Sequence, residues 1–404
     1  MHLKTYSVLE FGRINYENVA YFNFETNPKL NRTFEENISP DYLIPILSHI
    51  SGQTIVKEKT LIIFDEVQLC ERALTSLKYF CEDAPDYHII VAGNLLGVAV
   101  NRAKFSFPVG KVDMKTMYPM DMEEFMIAMG EEKLATKVRQ CFETNTAMPS
   151  ALHDAAMQLY RQYLVVGGMP ECVLQFAQTR DYILIRNTQD TILASYLNDM
   201  SKYNNLNEIK KTRLAYDNIT VQLSKKNTRF QYKLIKKGGR ASEFENAIEW
   251  LCLSGIVSQV YRIEQIKKPL ENYRDIDAFK IYVSDLGLLC AKKDLVANDI
   301  LYMAEELNDF KGGMAENYVN VQLSINGYHT YYWESARGAE IDFVIQRNEQ
   351  LIPIEVKSAD NTRAKSLKVY METYDPEYAI KLSAKNFAFE DNKKTVPLYA
   401  AFCI

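Results

Sequence analysis

The segment Ala339-Glu340-Ile341-Asp342-Phe343-Val344-Ile345, followed by Arg347-Asn348-Glu349-Gln350 and then Leu351-Ile352-Pro353-Ile354-Glu355-Val356-Lys357, leaves little choice of local fold. The first run carries the period-two pattern of a strand, the polar stretch is a turn, and the last run is its return strand. Centring the loop between Asn348 and Glu349 puts Ile341 opposite Val356, Phe343 opposite Ile354 and Ile345 opposite Ile352. A slip of one residue breaks all three apolar pairs, so the register is well specified. The other face then carries Asp342 opposite Glu355 and Glu340 opposite Lys357. Two facing carboxylates repel, and a folded chain tolerates them when a cation sits between them or when one is protonated. Lys357 closing a salt bridge to both acids is the simpler alternative. Val344 and Leu351 on the same face favour a covered, metal-capable site.

A second constraint lies near the start of the chain. Val19–Phe24, Leu61–Phe64 and His88–Ala92 are short, β-rich apolar runs with helix-period stretches between them. Continuous apolar runs suit strands buried on both faces of a parallel sheet, which predicts an α/β domain over residues 1–130. Leu61-Ile62-Ile63-Phe64-Asp65-Glu66 has the form of a Walker B element. Its strand delivers Asp65 to the sheet edge, where the carboxylate can hold Mg2+ through water, and Glu66 can polarise an attacking water. Asn94 follows the next strand, at the position of a γ-phosphate sensor; its plainer reading is a turn residue after Gly93. Of the G-x-x-x-x-G-K-[ST] loop that such a site needs, only Lys4-Thr5 lies in the sequence. The expectation is a chain that begins inside its phosphate-binding loop.

Between these regions, residues 131–215 read as largely helical, broken at Val165-Val166-Gly167-Gly168-Met169-Pro170. There the glycines permit a tight turn and Pro170 starts the next helix. Residues 216–295 combine short helices with strand-like runs at Ile256–Arg262 and Phe279–Val283, the pattern of a winged helix. Lys225, Lys226, Arg229, Lys233, Lys236, Lys237 and Arg240 cluster there without an acidic residue among them, and Phe230 and Tyr232 are interleaved. The segment is a candidate phosphate-binding face, with a solvated loop as the alternative. Glu243, Glu245 and Glu249 on the expected recognition helix, Ser242–Leu253, argue against deep insertion into a groove. Residues 296–404 form the last domain. The net charge of −5 makes any nucleic-acid surface a local patch. The seven cysteines include no C-x-x-C pair, which points to reduced thiols in a cytoplasmic protein and not to a zinc ribbon. No apolar run has the length of a membrane span.

Taken together, Lys4-Thr5-Tyr6, Ala20-Tyr21-Phe22-Asn23-Phe24, Ile63-Phe64-Asp65-Glu66-Val67-Gln68, Ala92-Gly93-Asn94-Leu95-Leu96-Gly97, Phe107-Pro108-Val109-Gly110-Lys111-Val112, Val166-Gly167-Gly168-Met169-Pro170 and Ile352-Pro353-Ile354-Glu355-Val356-Lys357 make a recognisable series. The chain resembles the prokaryotic AAA-type P-loop ATPases that carry a C-terminal domain of unknown function with a restriction-endonuclease-like fold. The resemblance implies ATP and Mg2+ as cofactors, with Lys4 on the phosphates, Thr5 and Asp65 at the metal, Glu66 as catalytic carboxylate and Asn94 as sensor. Arg102 and Lys111 become candidate trans-acting cations, and rings are common among such proteins, so a homo-oligomer is one expectation. In the C-terminal domain, Asp342, Glu355 and Lys357 match the D…E-x-K arrangement of restriction-type nucleases. There two acids hold Mg2+ and the lysine positions or activates water, with Glu316 of the preceding helix as a further acidic contributor.

Three functions follow as expectations. The first is an ATP-binding AAA-type protein acting on nucleic acid. The second is a Mg2+-dependent nuclease that keeps its ATPase module as a scaffold. The third is a non-enzymatic DNA-binding regulator.

Overall fold

The computed structural model describes residues 3–93, 110–202, 206–223, 229–358 and 365–404. They divide into two compact units, residues 1–117 and 118–404.

In the first unit β1 (Asn18–Asn23), β2 (Thr60–Asp65) and β3 (His88–Val91) form a parallel sheet in the order β1-β2-β3. All six residues of β2 are buried, as expected of the central strand of a sheet covered on both faces. Helices α2 (Lys29–Glu36), α3 (Pro40–Ser51) and α4 (Glu71–Asp83) cover one face. Phe22, Phe24, Phe34 and Phe64 interlock there, with ring centroids 5.5–5.9 Å apart. Helix α1 (Leu3–Asn15) lies on the other face. Its Gly12 sits so close to the sheet that a Cβ would come within 2.7 Å of Val19 and 3.0 Å of Leu61.

The second unit is built on an eight-stranded mixed sheet of β4 (Val257–Ile263), β5 (Arg274–Val283), β6 (Tyr331–Glu334), β7 (Glu340–Arg347), β8 (Gln350–Val356), β9 (Ala379–Ser383), β10 (Ala388–Glu390) and β11 (Lys393–Pro397). The order is β10-β11-β9-β8-β7-β6-β4-β5. The hairpin expected of a winged helix exists as β4-β5, but it continues the C-terminal sheet: β4 pairs in parallel with β6 through Tyr261–Tyr331 and Ile263–Trp333. The β7-β8 ladder keeps the expected register where it runs, with Phe343 opposite Ile354 and Ile345 opposite Ile352, but it ends there: the expected pairs Ile341–Val356, Asp342–Glu355 and Glu340–Lys357 are not part of it, because Val356 N bonds the Asp342 side chain instead. Asn348 and Glu349 both take positive φ (43° and 66°) at its turn, the geometry of a two-residue hairpin loop with matching twist. Among the described residues no helix is long and apolar enough to cross a membrane, and all seven cysteines are free.

The Gly-Gly-Met-Pro break is a junction of three chain segments. Gly167 ends the helix Ser150–Val166 at φ +76°, and Pro170 opens the helix Pro170–Thr179. The carboxylate of Asp285 accepts from Leu288 N (2.8 Å), capping the helix Leu286–Lys292, and from Gly168 N (2.7 Å) in the Gly-Gly turn, so one buried side chain ties the two segments together. A Cβ on Gly167 would lie 2.3 Å from Asp285 Oδ1, and one on Gly168 would lie 2.1 Å from Met120 O. Burial pushes the Asp285 carboxyl up to about 6 despite these backbone donors.

Two outcomes follow for this junction. Asp285→Ala leaves buried N–H groups unpaired at about 1–3 kcal/mol each, so a loss of about 2–5 kcal/mol is expected in chemical denaturation. Between the ordinary value of 3.8 and about 6 the folded chain holds the Asp285 proton more readily than the unfolded chain. The contribution of this titration is therefore complete below 3.8 and fades as pH rises through about 6. Unfolding curves of wild type and Asp285→Ala across that window should differ by this slope.

Candidate functional site

In the first unit the chemistry gathers at the C-terminal edge of β2. Asp65 ends the strand almost fully buried, at 4% exposure. Its Oδ2 accepts from Tyr21 OH (2.6 Å), Thr5 Oγ1 (2.9 Å) and Asn23 Nδ2 (3.5 Å), and its Oδ1 accepts from Glu66 N (3.0 Å). Thr5 and Lys4 lie in the first turn of α1, the end of a helix that favours anions. Lys4 Nζ donates to Gly93 O at 3.3 Å. Burial lowers its pKa below the ordinary lysine value, against the pull of Glu66 and Asp65. Glu66 is held at φ 54°, a left-handed conformation uncommon outside glycine and asparagine, and its carboxylate accepts from Gln68 Nε2.

The structure thus brings Lys4, Thr5, Asp65 and Glu66 together. Asn94 and Arg102 lie outside the described residues, and Lys111 forms an exposed ion pair with Glu82 at 3.0 Å. Two partners of Asp65, Tyr21 and Asn23, lie in the Ala20–Phe24 run, where residue type alone assigns them no role. Asn23 is in register with Asp65 across the parallel pair, and Tyr21 stands two residues earlier on the same face. Burial, and then the bond to Asp65, push the Tyr21 hydroxyl up to about 12, so it stays a donor. Thr5 and Asp65 form a hard-oxygen set of the kind that holds Mg2+, and Lys4 supplies the cation for phosphate. These residues fit a Mg2+–nucleotide.

In the second unit Glu316, Asp342, Glu355 and Lys357 do converge, but in company the sequence does not reveal. Lys280, in the middle of apolar β5 and only 1% exposed, places its Nζ 2.5 Å from Glu340 Oε1 and 3.5 Å from Glu316 Oε2. Tyr282, next on that face, donates to Glu316 Oε2 at 3.0 Å. Lys357 pairs with Glu355 at 2.8 Å. Asp342 Oδ2 accepts from Val356 N at 2.7 Å, so beyond the Phe343–Ile354 pair its side chain takes the donor of the returning strand. Burial, and then the nearby charge of Glu316, push the Asp342 carboxyl up to about 8. Burial works against the charge of Lys280, but Glu316, Glu340 and Asp342 outweigh it and hold its pKa above the ordinary value. Among the described residues no group of three or more His, Cys, Asp or Glu side chains is disposed to hold a metal ion. The signal that could have found Lys280 is a lone lysine in the apolar run Ala278-Phe279-Lys280-Ile281-Tyr282-Val283.

The basic segment divides. Lys225 and Lys226 lie outside the described residues. Arg229 donates to Asp277 O, and Lys236 pairs with Glu243. Lys233, Lys237 and Arg240 stand exposed. Phe230 is buried and stacks on Phe279 with centroids 5.3 Å apart, so it is part of the packing and offers no platform for a base. Phe230→Ala should lower stability by about 3–5 kcal/mol, as a large core truncation does, whereas Lys237→Ala should stay within about 0.5 kcal/mol of wild type. Denaturation of both variants checks the contrast.

Residues 4–126 match the family model of an AAA domain. Residues 157–299 and 311–401 match two domains of unknown function, DUF8612 and DUF4143. A search of curated proteins gave no match. Among solved structures, the chain is similar to the Walker-type ATPase PABY2304 of Pyrococcus abyssi at 12% identity and a TM-score of 0.39, covering 69% of this chain and 84% of that one.

Proposed function

This chain carries a P-loop AAA-type domain followed by a C-terminal DUF4143 domain, and on that premise we propose that its N-terminal unit binds and hydrolyses ATP with Mg2+ in work on nucleic acid. The observation that carries the reading is the Thr5–Asp65 hydrogen bond at the edge of β2, with Lys4 beside it at the start of α1. When bound, Mg2+ supplies charge neutralisation for the phosphates. Asp65 and Thr5 would hold it, and Lys4 would meet phosphate oxygens. Glu66 is the group to take a proton from water, and Gln68 holds its carboxylate in place. Tyr21 and Asn23 fix the Asp65 carboxylate from the neighbouring strand, so they position and do not react.

The nucleic-acid part of the reading is supported by Lys233, Lys237 and Arg240, which stand exposed on one short stretch of a chain whose net charge is negative. Such residues meet the phosphate backbone, because Phe230 is taken up in the core and Glu243 draws Lys236 toward the helix.

Titration of the full chain with a fluorescent ATP analogue and Mg2+ tests the nucleotide reading. Saturable binding is expected, weakened at least about 10-fold by Lys4→Ala and by Asp65→Asn, each of which removes a charge-assisted interaction. Glu66→Gln should keep binding and lower ATP turnover by about 100-fold or more. An analogue that does not bind, or binds equally to Lys4→Ala, would remove the nucleotide assignment. For nucleic acid, Lys233→Ala/Lys237→Ala/Arg240→Ala should weaken duplex binding and flatten its salt dependence by about one unit of slope for each phosphate no longer neutralised. A salt slope unchanged in that variant would remove this surface from the reading.

A further inference from the structure

The fold of the second unit places the acids of a metal-dependent nuclease, Asp342 and Glu355, beside Lys357 and Glu316, and the same pocket contains a buried ammonium that such a site has no use for. Lys280 reaches from β5 to Glu316 and Glu340 and lies over the Tyr332 ring at 5.1 Å. We infer that Lys280 is the resident cation of this acidic face, and that with Lys280 in place the cluster takes no divalent ion.

Ligand geometry and charge both point this way. A divalent cation needs several oxygens aimed at one point, at about 2.0–2.6 Å. Here the oxygens are aimed elsewhere. Glu316 Oε2 faces Lys280 and the Tyr282 hydroxyl, and Glu340 faces Lys280. Asp342 Oδ2 holds Val356 N, and Glu355 Oε1 holds Lys357. Glu355 Oε2 is buried without a hydrogen bond, and among the described residues no group of three or more acidic, His or Cys side chains converges as metal ligands would. Lys280 has no route to solvent at 1% exposure, so it cannot swing out to admit a metal as a surface lysine could. Two ammonium groups set against the four carboxyls offset half of the charge that would otherwise attract a further cation.

The consequence is chemical. An ammonium neutralises carboxylates, but it has no coordinated water to turn into a nucleophile and no open position for a phosphate oxygen. The hydrolytic route of restriction-type nucleases is therefore closed in this chain. What remains is a polar lock joining β5, β7 and the helix Asn308–Ile325.

The test is Mn2+ binding to the full chain, read from the paramagnetic signal of the free ion. All arms carry Asp65→Asn, so that the nucleotide site contributes no metal affinity and the outcome does not depend on the ATP reading. With Lys280 present, adding Asp342→Asn should leave Mn2+ uptake unchanged. Lys280→Gln should gain one Mn2+ per chain, bound at least about 10-fold more tightly than any background and abolished in Lys280→Gln/Asp342→Asn. Lys280→Arg, which keeps the charge, should gain none. If Lys280→Gln is unfolded without metal, recovery of a cooperative melt on adding Mn2+, absent in the double variant, supports the inference equally. Asp342-dependent Mn2+ uptake by the chain that retains Lys280 overturns it. So does a Lys280→Gln chain that, folded or not, neither binds Mn2+ nor is rescued by it.

Discussion

The ammonium of Lys280 is the interaction on which the second unit turns. A lysine inside an apolar strand is tolerated only if carboxylates meet it, since an unpaired buried charge costs several kcal/mol. The carboxylates that meet it come from distant parts of the chain, Glu316 on a helix and Glu340 on β7. The pairing therefore holds β5 to elements that follow it by tens of residues. The β4-β5 hairpin that carries Lys280 is accordingly part of the larger sheet. Joined to β6 through Tyr261 and Ile263, it brings Lys280 to its partners.

This is also where sequence reading reaches its limit. The β7-β8 hairpin is legible because what specifies it is local: alternation, a turn and the apolar pairs Phe343–Ile354 and Ile345–Ile352. The strands β1, β2 and β3 are legible for a similar reason, since burial on both faces leaves a continuous apolar run. The destination of β4-β5 is not legible, because a parallel pairing between Tyr261 and Tyr331 leaves no mark within either strand. Lys280 escapes notice because a single lysine in a strand reads as a solvent-facing position. Only the neighbours brought by the sheet make it a buried one.

The proposed nucleotide site divides in the same way. Asp65 and Glu66 are legible from the strand that carries them, and Thr5 and Lys4 from residue type and position. Tyr21 and Asn23 come into view only with the parallel register that sets Asn23 beside Asp65. Gln68 comes into view only with the turn that holds Glu66 at φ 54°.

Asp65 and Asp342 make the physical contrast complete. Both are carboxylates at or near a strand end, Asp65 buried and Asp342 half-buried, and both match a motif for holding Mg2+. Around Asp65 the donors are neutral: two hydroxyls, an amide and a backbone N–H. Neutral donors orient a carboxylate without cancelling its charge, and a hydroxyl such as that of Thr5 can turn its lone pair to a cation. Around Asp342 the space is held by ammonium groups paired with neighbouring acids, and its own carboxyl is pushed up to about 8 by burial and by Glu316. The same motif-level signature thus stands among neutral donors in one unit and in an ion-pair network in the other. The difference lies in whether the surrounding partners are dipoles or charges.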